Sequence, residues 1–251
     1  SLLSVTSPNK YTRVFHHATV DTCNHFLVNK RIDKIERRGK YIVFVLDKGF
    51  LSVHLRMTGK LLHNLENITD LKYVSAQFNF IDGSQLFFKD VRKFGRIYCF
   101  DNLDWLEAKL GIEPLTEAFS TEYLYHHLQM KNRQIKPLLL DQSFIAGLGN
   151  IYVDEALWFA GINPLMITSQ ISEKKSNKLH KGIQSVLLNA IAAKGTTIIN
   201  FSYGENDRGN YKDQLKIFGK TNNPCLKCKT IIQKIFVGQR GTHFCPVCQP
   251  I

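Results

Sequence analysis

Short apolar runs separated by polar turns recur through the first hundred residues, which read as strands. Residues 41–46 are rich in β-branched and aromatic side chains. They break at Asp47, Lys48 and Gly49, and a second apolar stretch follows over 50–55. Two such runs around a short polar turn predict a hairpin. A second pair, 76–81 and 85–88, flanks Asp82, Gly83 and Ser84. The alternation in 76–81 leaves one face buried. Repeated short strands with tight turns predict a sandwich or barrel.

Near residue 102 the pattern changes to a helical one. Residues 105–110 read as a short helix closed by Gly111. A linker at 112–115 contains Pro114. Ser120 is placed to cap a helix over 121–130, and another apolar run opens at 135. Residues 152–160 carry a helical apolar face. Ser172 caps a long amphipathic segment, 173–194, that stops at Gly195. Residues 202–213 are rich in Gly, Asn and charge and read as a loop. The chain then turns strand-like at 230–237, turns at 238–241 and returns over 242–244. The fold predicted is α+β and multi-domain. A β domain occupies 1–113, a helical domain 114–203, and a loop with a terminal hairpin 204–251.

Composition changes this picture in two ways. Thirty-three Lys and Arg against 21 Asp and Glu give a formal charge of +12. That field favours a polyanionic partner, with nucleic acid first and a membrane surface second. No run of 18 apolar residues is present to span a membrane, and the first residues lack the flanks of a signal peptide. A cytoplasmic setting is expected, in which disulfides are disfavoured.

The second change comes from cysteine spacing. Cys225, Cys228, Cys245 and Cys248 form a C-x2-C-x16-C-x2-C pattern. Two such turns present four thiolates to one tetrahedral zinc, and a site closed by four protein ligands is structural rather than catalytic. A redox pair or two disulfides are the competing readings. A two-stranded hairpin is marginal alone, so zinc would clamp it and hold Arg240 at the tip, suited to a phosphate. Cys99, in an apolar run, reads as a small buried hydrophobe. Between 136 and 155 an apolar helix ends at Gly147-Leu148-Gly149, and Asn150 is expected to cap a new helix. The free amides of such an N-terminus attract a phosphate. By pattern alone, any glycine turn between two helices fits equally well.

Six motifs in this order resemble the formamidopyrimidine-DNA glycosylase family, which includes endonuclease VIII. They begin with Arg37-Arg38-Gly39-Lys40-Tyr41, His54-Leu55-Arg56-Met57-Thr58-Gly59 and Asp90-Val91-Arg92-Lys93-Phe94-Gly95. Gly111-Ile112-Glu113-Pro114-Leu115, the turn over 146–155, and the cysteine hairpin with Gln239-Arg240-Gly241-Thr242 complete the set. Met57, Arg92 and Phe94 resemble the trio of the formamidopyrimidine branch.

The resemblance implies a monomeric, bacterial-type, nucleoid-associated enzyme of base-excision repair. It grips damaged double-stranded DNA between a β-sandwich and a helix–two-turn–helix domain with one structural zinc. It removes 8-oxoguanine and formamidopyrimidines and nicks the strand by β,δ-elimination. A base inside a duplex must be flipped out. Phe94 and Met57 would fill the gap and Arg92 would bond the orphaned cytosine. On sequence alone, Met57 and Phe94 fit core packing as well.

By the same resemblance Lys40 and Arg240 take part in the chemistry. His54, Asn150, Lys136 and Lys234 join the DNA-binding set. The loop over 203–213 corresponds to a lid on the flipped base. Two departures stand out. Lys72-Tyr73-Val74-Ser75 replaces a Lys-His-Asp-His segment. The N-terminal Pro-Glu start, whose amine attacks the sugar and whose carboxylate moves protons, has no counterpart in a sequence opening Ser1-Leu2-Leu3. A shortened record of an active enzyme is expected. The alternative is a non-catalytic, zinc-dependent protein that recognises damaged or abasic DNA. A zinc-dependent regulator that reads sequence is a third class, separable by competition binding.

Overall fold

The computed structural model describes residues 1–63, 70–197 and 209–251. The chain forms two compact units that divide between Ala108 and Lys109.

The first unit holds eight described strands and a helix. β1 (Leu2–Thr6) is followed by α1 (Val20–Leu27), β2 (Ile32–Arg38), β3 (Tyr41–Leu46) and β4 (Phe50–His54). β5 (Gly59–Leu62), β6 (Val74–Phe80), β7 (Gln85–Asp90) and β8 (Arg96–Phe100) complete it. They make two four-stranded antiparallel sheets, ordered β1-β6-β7-β5 and β2-β3-β4-β8. Phe78 and Phe88 from one sheet pack with Phe44, Leu51, Val53 and Ile97 from the other, the inward-facing alternation of a β-sandwich.

α1 was not foreseen in a region read as strands. A capping box starts it: the Thr19 hydroxyl accepts the Thr22 amide, and the Thr22 hydroxyl accepts the Thr19 amide. Cys23 and Leu27, four apart, bury one face of it in the same core. β2 is mostly exposed and charged. Its strand form comes from pairing along β3 rather than from its own apolar pattern, and charge along an open sheet edge discourages pairing with another chain.

The second unit contains α3 (Thr121–Gln129), α4 (Ile135–Leu140), α5 (Asn150–Ala160) and α6 (Glu173–Ala192), with β9 (Gln233–Val237) and β10 (Arg240–Phe244). A short α2 (Asp104–Lys109) precedes them at the boundary. Ser120 and Ser172 cap α3 and α6 as expected, each hydroxyl accepting an amide three residues on. Leu124, Leu138, Leu148, Leu157, Leu179 and Ile183 build the core. Between α4 and α5 the chain makes its two turns on side-chain pins. The Asp141 carboxylate accepts the Ser143 amide and hydroxyl. Gln142 donates to the carbonyls of Leu140 and Leu148 and accepts the Gly147 amide. Among the described residues, no helix is long and apolar enough to cross a membrane.

The two cores make separate demands. Phe78→Ala removes a fully buried ring from the sandwich and is expected to cost about 3–5 kcal/mol. Urea unfolding followed by Trp105 fluorescence, with Trp158 replaced by phenylalanine, measures it.

Candidate nucleic-acid interface and zinc centre

Strand direction gathers the sequence-predicted residues of the first unit at one end of the sandwich. β3 starts at Tyr41, paired with His54 at the end of β4, which is paired in turn with Arg96 at the start of β8. Lys40 is exposed in the two-residue turn between β2 and β3. His54 is nearly buried. Its Nδ1 accepts the Arg56 amide at 3.0 Å, which in the neutral ring puts the proton on Nε2.

Two loops leave the same end, and one buried carboxylate ties them together. Asp90 accepts the Thr58 hydroxyl at 2.5 Å, the Arg92 amide at 3.2 Å and the Gly95 amide at 2.7 Å. Thr58 also accepts the Arg92 amide. Arg56 and Lys93 adopt left-handed backbone, φ 54° and 59°, at about 1–3 kcal/mol each. Met57 and Phe94 consequently stand 60% and 48% exposed. The Arg92 guanidinium lies between them, 3.2 Å from Met57 Sδ and 4.9 Å from the Phe94 ring centre. Two large apolar side chains held out in water with an arginine between them do not fit the core-packing alternative for Met57 and Phe94.

In the second unit the hairpin is pinned by charges buried behind it. Asp154 on α5 and Lys136 on α4 are both fully buried, with Nζ 2.5 Å from Oδ1. The other Asp154 oxygen accepts the His243 amide at 2.9 Å. Burial pulls Lys136 below the usual lysine range, and Asp154 opposes that shift. Lys136 Nζ also donates to the Gly241 carbonyl, which takes a second bond from Asn150 Nδ2 at 3.0 Å. Two expectations are corrected here. Lys136 lies beneath the surface and props the hairpin, so it cannot present its ammonium to DNA in this arrangement. Asn150 is not the capping residue. Gly149 occupies that position, and the Asn150 amide reaches the hairpin instead.

The tip is also revised. Gly238 and Gln239, both at positive φ, form the two-residue turn, and Arg240 opens the returning strand opposite Val237. Their shared hand is that of the hairpin turn that matches strand twist. Arg240 and Lys234 are exposed. Lys234 lies across Gly241, where an added Cβ would sit 3.3 Å from its Cε.

The four cysteine sulfurs lie within 4.8 Å of one another. A tetrahedron of sulfurs about 2.3 Å from zinc has edges of about 3.8 Å. Cys228–Cys245 and Cys225–Cys248 are separated by 3.4 and 3.9 Å, so the residues fit the metal. The Thr230 hydroxyl and amide hold the Cys228 thiol down to about 6, toward the thiolate that zinc takes. Trp158 of α5 donates Nε1–H to Cys225 Sγ. Gln249 joins the Cys245 amide to the Ile162 carbonyl.

Asp90, Asp154 and Glu155 carry this architecture, and the sequence assigned a role to none of them. Glu155 accepts the amides of Lys216, Ile217 and Phe218. The only signal was an acidic pair in an otherwise apolar helix. The expected lid falls at 203–208 outside the described residues; at 209–213, the chain bridges Asn210 to Thr196 and turns at Tyr211.

Comparison with known proteins agrees with this geometry. Residues 4–97 match the formamidopyrimidine-DNA glycosylase N-terminal domain, 110–202 the formamidopyrimidine-DNA glycosylase H2TH domain, and 222–251 the zinc finger found in FPG and IleRS. The formamidopyrimidine-DNA glycosylase of Pelotomaculum thermopropionicum is 41% identical over 230 residues, 90% of this chain and 83% of that protein. That of Bacillus subtilis is 42% identical over 228 residues, 89% and 82% of the two chains. The Lactococcus lactis Fpg in complex with DNA containing an abasic site superposes with a TM-score of 0.90 at 37% identity, covering 100% of this chain and 92% of that one. The Lactococcus lactis protein in complex with DNA containing Fapy-dG gives 0.89 at 36% identity, covering 100% and 93%. The chain belongs to the formamidopyrimidine-DNA glycosylase family, and its four cysteines form one structural zinc site.

Chelation is expected to remove one zinc per chain and abolish binding to abasic duplex while both cores stay folded; atomic absorption, fluorescence anisotropy and circular dichroism read the three quantities. Unaltered binding by the zinc-free protein would refute the supporting role of the metal. Asp154→Ala leaves Lys136 buried without its partner and is expected to cost about 3–5 kcal/mol, whereas the double change Asp154→Leu with Lys136→Met costs less. A denaturant series across the single and double variants tests this.

Proposed function

We propose that this protein is a base-excision DNA glycosylase that removes oxidised purines, 8-oxoguanine and formamidopyrimidines, from duplex DNA, and that the intact enzyme nicks the strand by β,δ-elimination. The observation that carries the reading is the exposed Met57–Arg92–Phe94 cluster on two loops tied by Asp90. A flipped base leaves a hole and an unpaired partner. Apolar wedges resist collapse of the stack, and the arginine offers donors to the orphaned base. Arg240, Lys234, Asn150 and His54 then serve phosphates, and Lys40 takes a proton-transfer role beside the lesion. The relatives solved with abasic and Fapy-dG DNA support this assignment of ligand class.

Competition binding against intact duplex should show a preference for 8-oxoguanine and abasic duplexes, independent of flanking sequence and weakening with salt. Phe94→Ala should lower that preference by about tenfold, the equivalent of about 1.4 kcal/mol. Equal affinity for intact duplex would remove the repair reading.

A further inference from the structure

The zinc site and the DNA-facing loops leave two cysteines unused. Cys23 on α1 and Cys99 on β8 stand 76 residues apart in sequence, yet their sulfurs are 3.4 Å apart. Both are free thiols. Cys23 is buried in the sandwich core and Cys99 is half-buried against the same cluster. A disulfide needs about 2.05 Å, so the sulfurs must close by roughly 1.4 Å, within reach of small side-chain rotations. The contact between them draws the Cys23 thiol down, while the same contact and burial push Cys99 up.

We propose that Cys23 and Cys99 form a site of reversible oxidation, closing to a disulfide that ties α1 to β8 when the protein meets a peroxide. One thiolate attacks the peroxide O–O bond, becoming a sulfenic acid as the first water leaves. The second thiol attacks that sulfur. The S–S bond forms, the S–O bond breaks and the second water departs. Two thiols lose two electrons and two protons, and one peroxide becomes two waters. Linking residues so distant in sequence restricts the unfolded chain, and β8 is the strand from which the Phe94 loop is hung. The inference does not depend on the repair reading.

The zinc-loaded protein is titrated with hydrogen peroxide and digested without reduction, with zinc release followed by a chromophoric chelator in the same samples. The expected result is a Cys23–Cys99 crosslinked peptide, about 2 Da lighter than the reduced pair because two hydrogens are lost, formed while zinc is retained and lost on adding dithiothreitol. The thermal midpoint should rise by several degrees on oxidation, and Cys99→Ser should abolish both the crosslink and the rise. Zinc loss while Cys23 and Cys99 remain open to alkylation would overturn the proposal. So would sulfinic acid at Cys99 without a crosslink, or a crosslink that leaves the midpoint unchanged.

Discussion

The carboxylate of Asp154 satisfies the buried ammonium of Lys136 on α4 and both the backbone amide and the imidazole of His243 on β10. Removing an ion pair from water costs several kcal/mol per charge unless both partners are fully bonded. That cost constrains geometry closely: α4, α5 and β10 have one arrangement in which Lys136 and Asp154 are both satisfied. The Gly241 carbonyl, held by Lys136 and Asn150, extends the same constraint to the residue beside Arg240. Zinc fixes the base of the hairpin and Asp154 fixes its register against the helices. Neither suffices alone, because a zinc-clamped hairpin could still pivot about its knuckles.

Asp90 acts in the same way in the first unit. A short polar side chain, 1% exposed, organises a loop whose visible residues are large and apolar. Both units therefore present their surface groups from an acidic residue hidden beneath them, in a protein whose overall charge is strongly positive. Lys136 balances the charge of Asp154, while Asp90 is held by amides and a hydroxyl alone.

Much of this was legible in the sequence. Runs rich in β-branched and aromatic residues around a short polar turn marked the central strands 41–46 and 50–54. Ser120 and Ser172 announced their helices because capping is local chemistry. The cysteine spacing defined the metal site, since two knuckles and four thiolates admit few arrangements. What failed was set by partners distant in the chain. β2 is a strand only because β3 lies beside it. α1 was hidden by its brevity, with two buried positions and a threonine box as its sole signals. Lys136 looked like a surface cation because nothing local shows that Asp154, 18 residues on, will bury it. Asn150 looked like a cap because its true partner is 91 residues away.

The left-handed backbones at Arg56 and Lys93 carry a further consequence. Their strain is met during folding, so the backbone that carries Met57 and Phe94 is set before any encounter. Ordering a side chain on binding costs about 0.5–1.5 kcal/mol. On the proposed reading, a probe of that kind need not reshape itself at each base step it meets. Its success at a given step then depends on how readily the DNA itself unstacks, and the time spent at an undamaged pair is set by the duplex rather than by the protein.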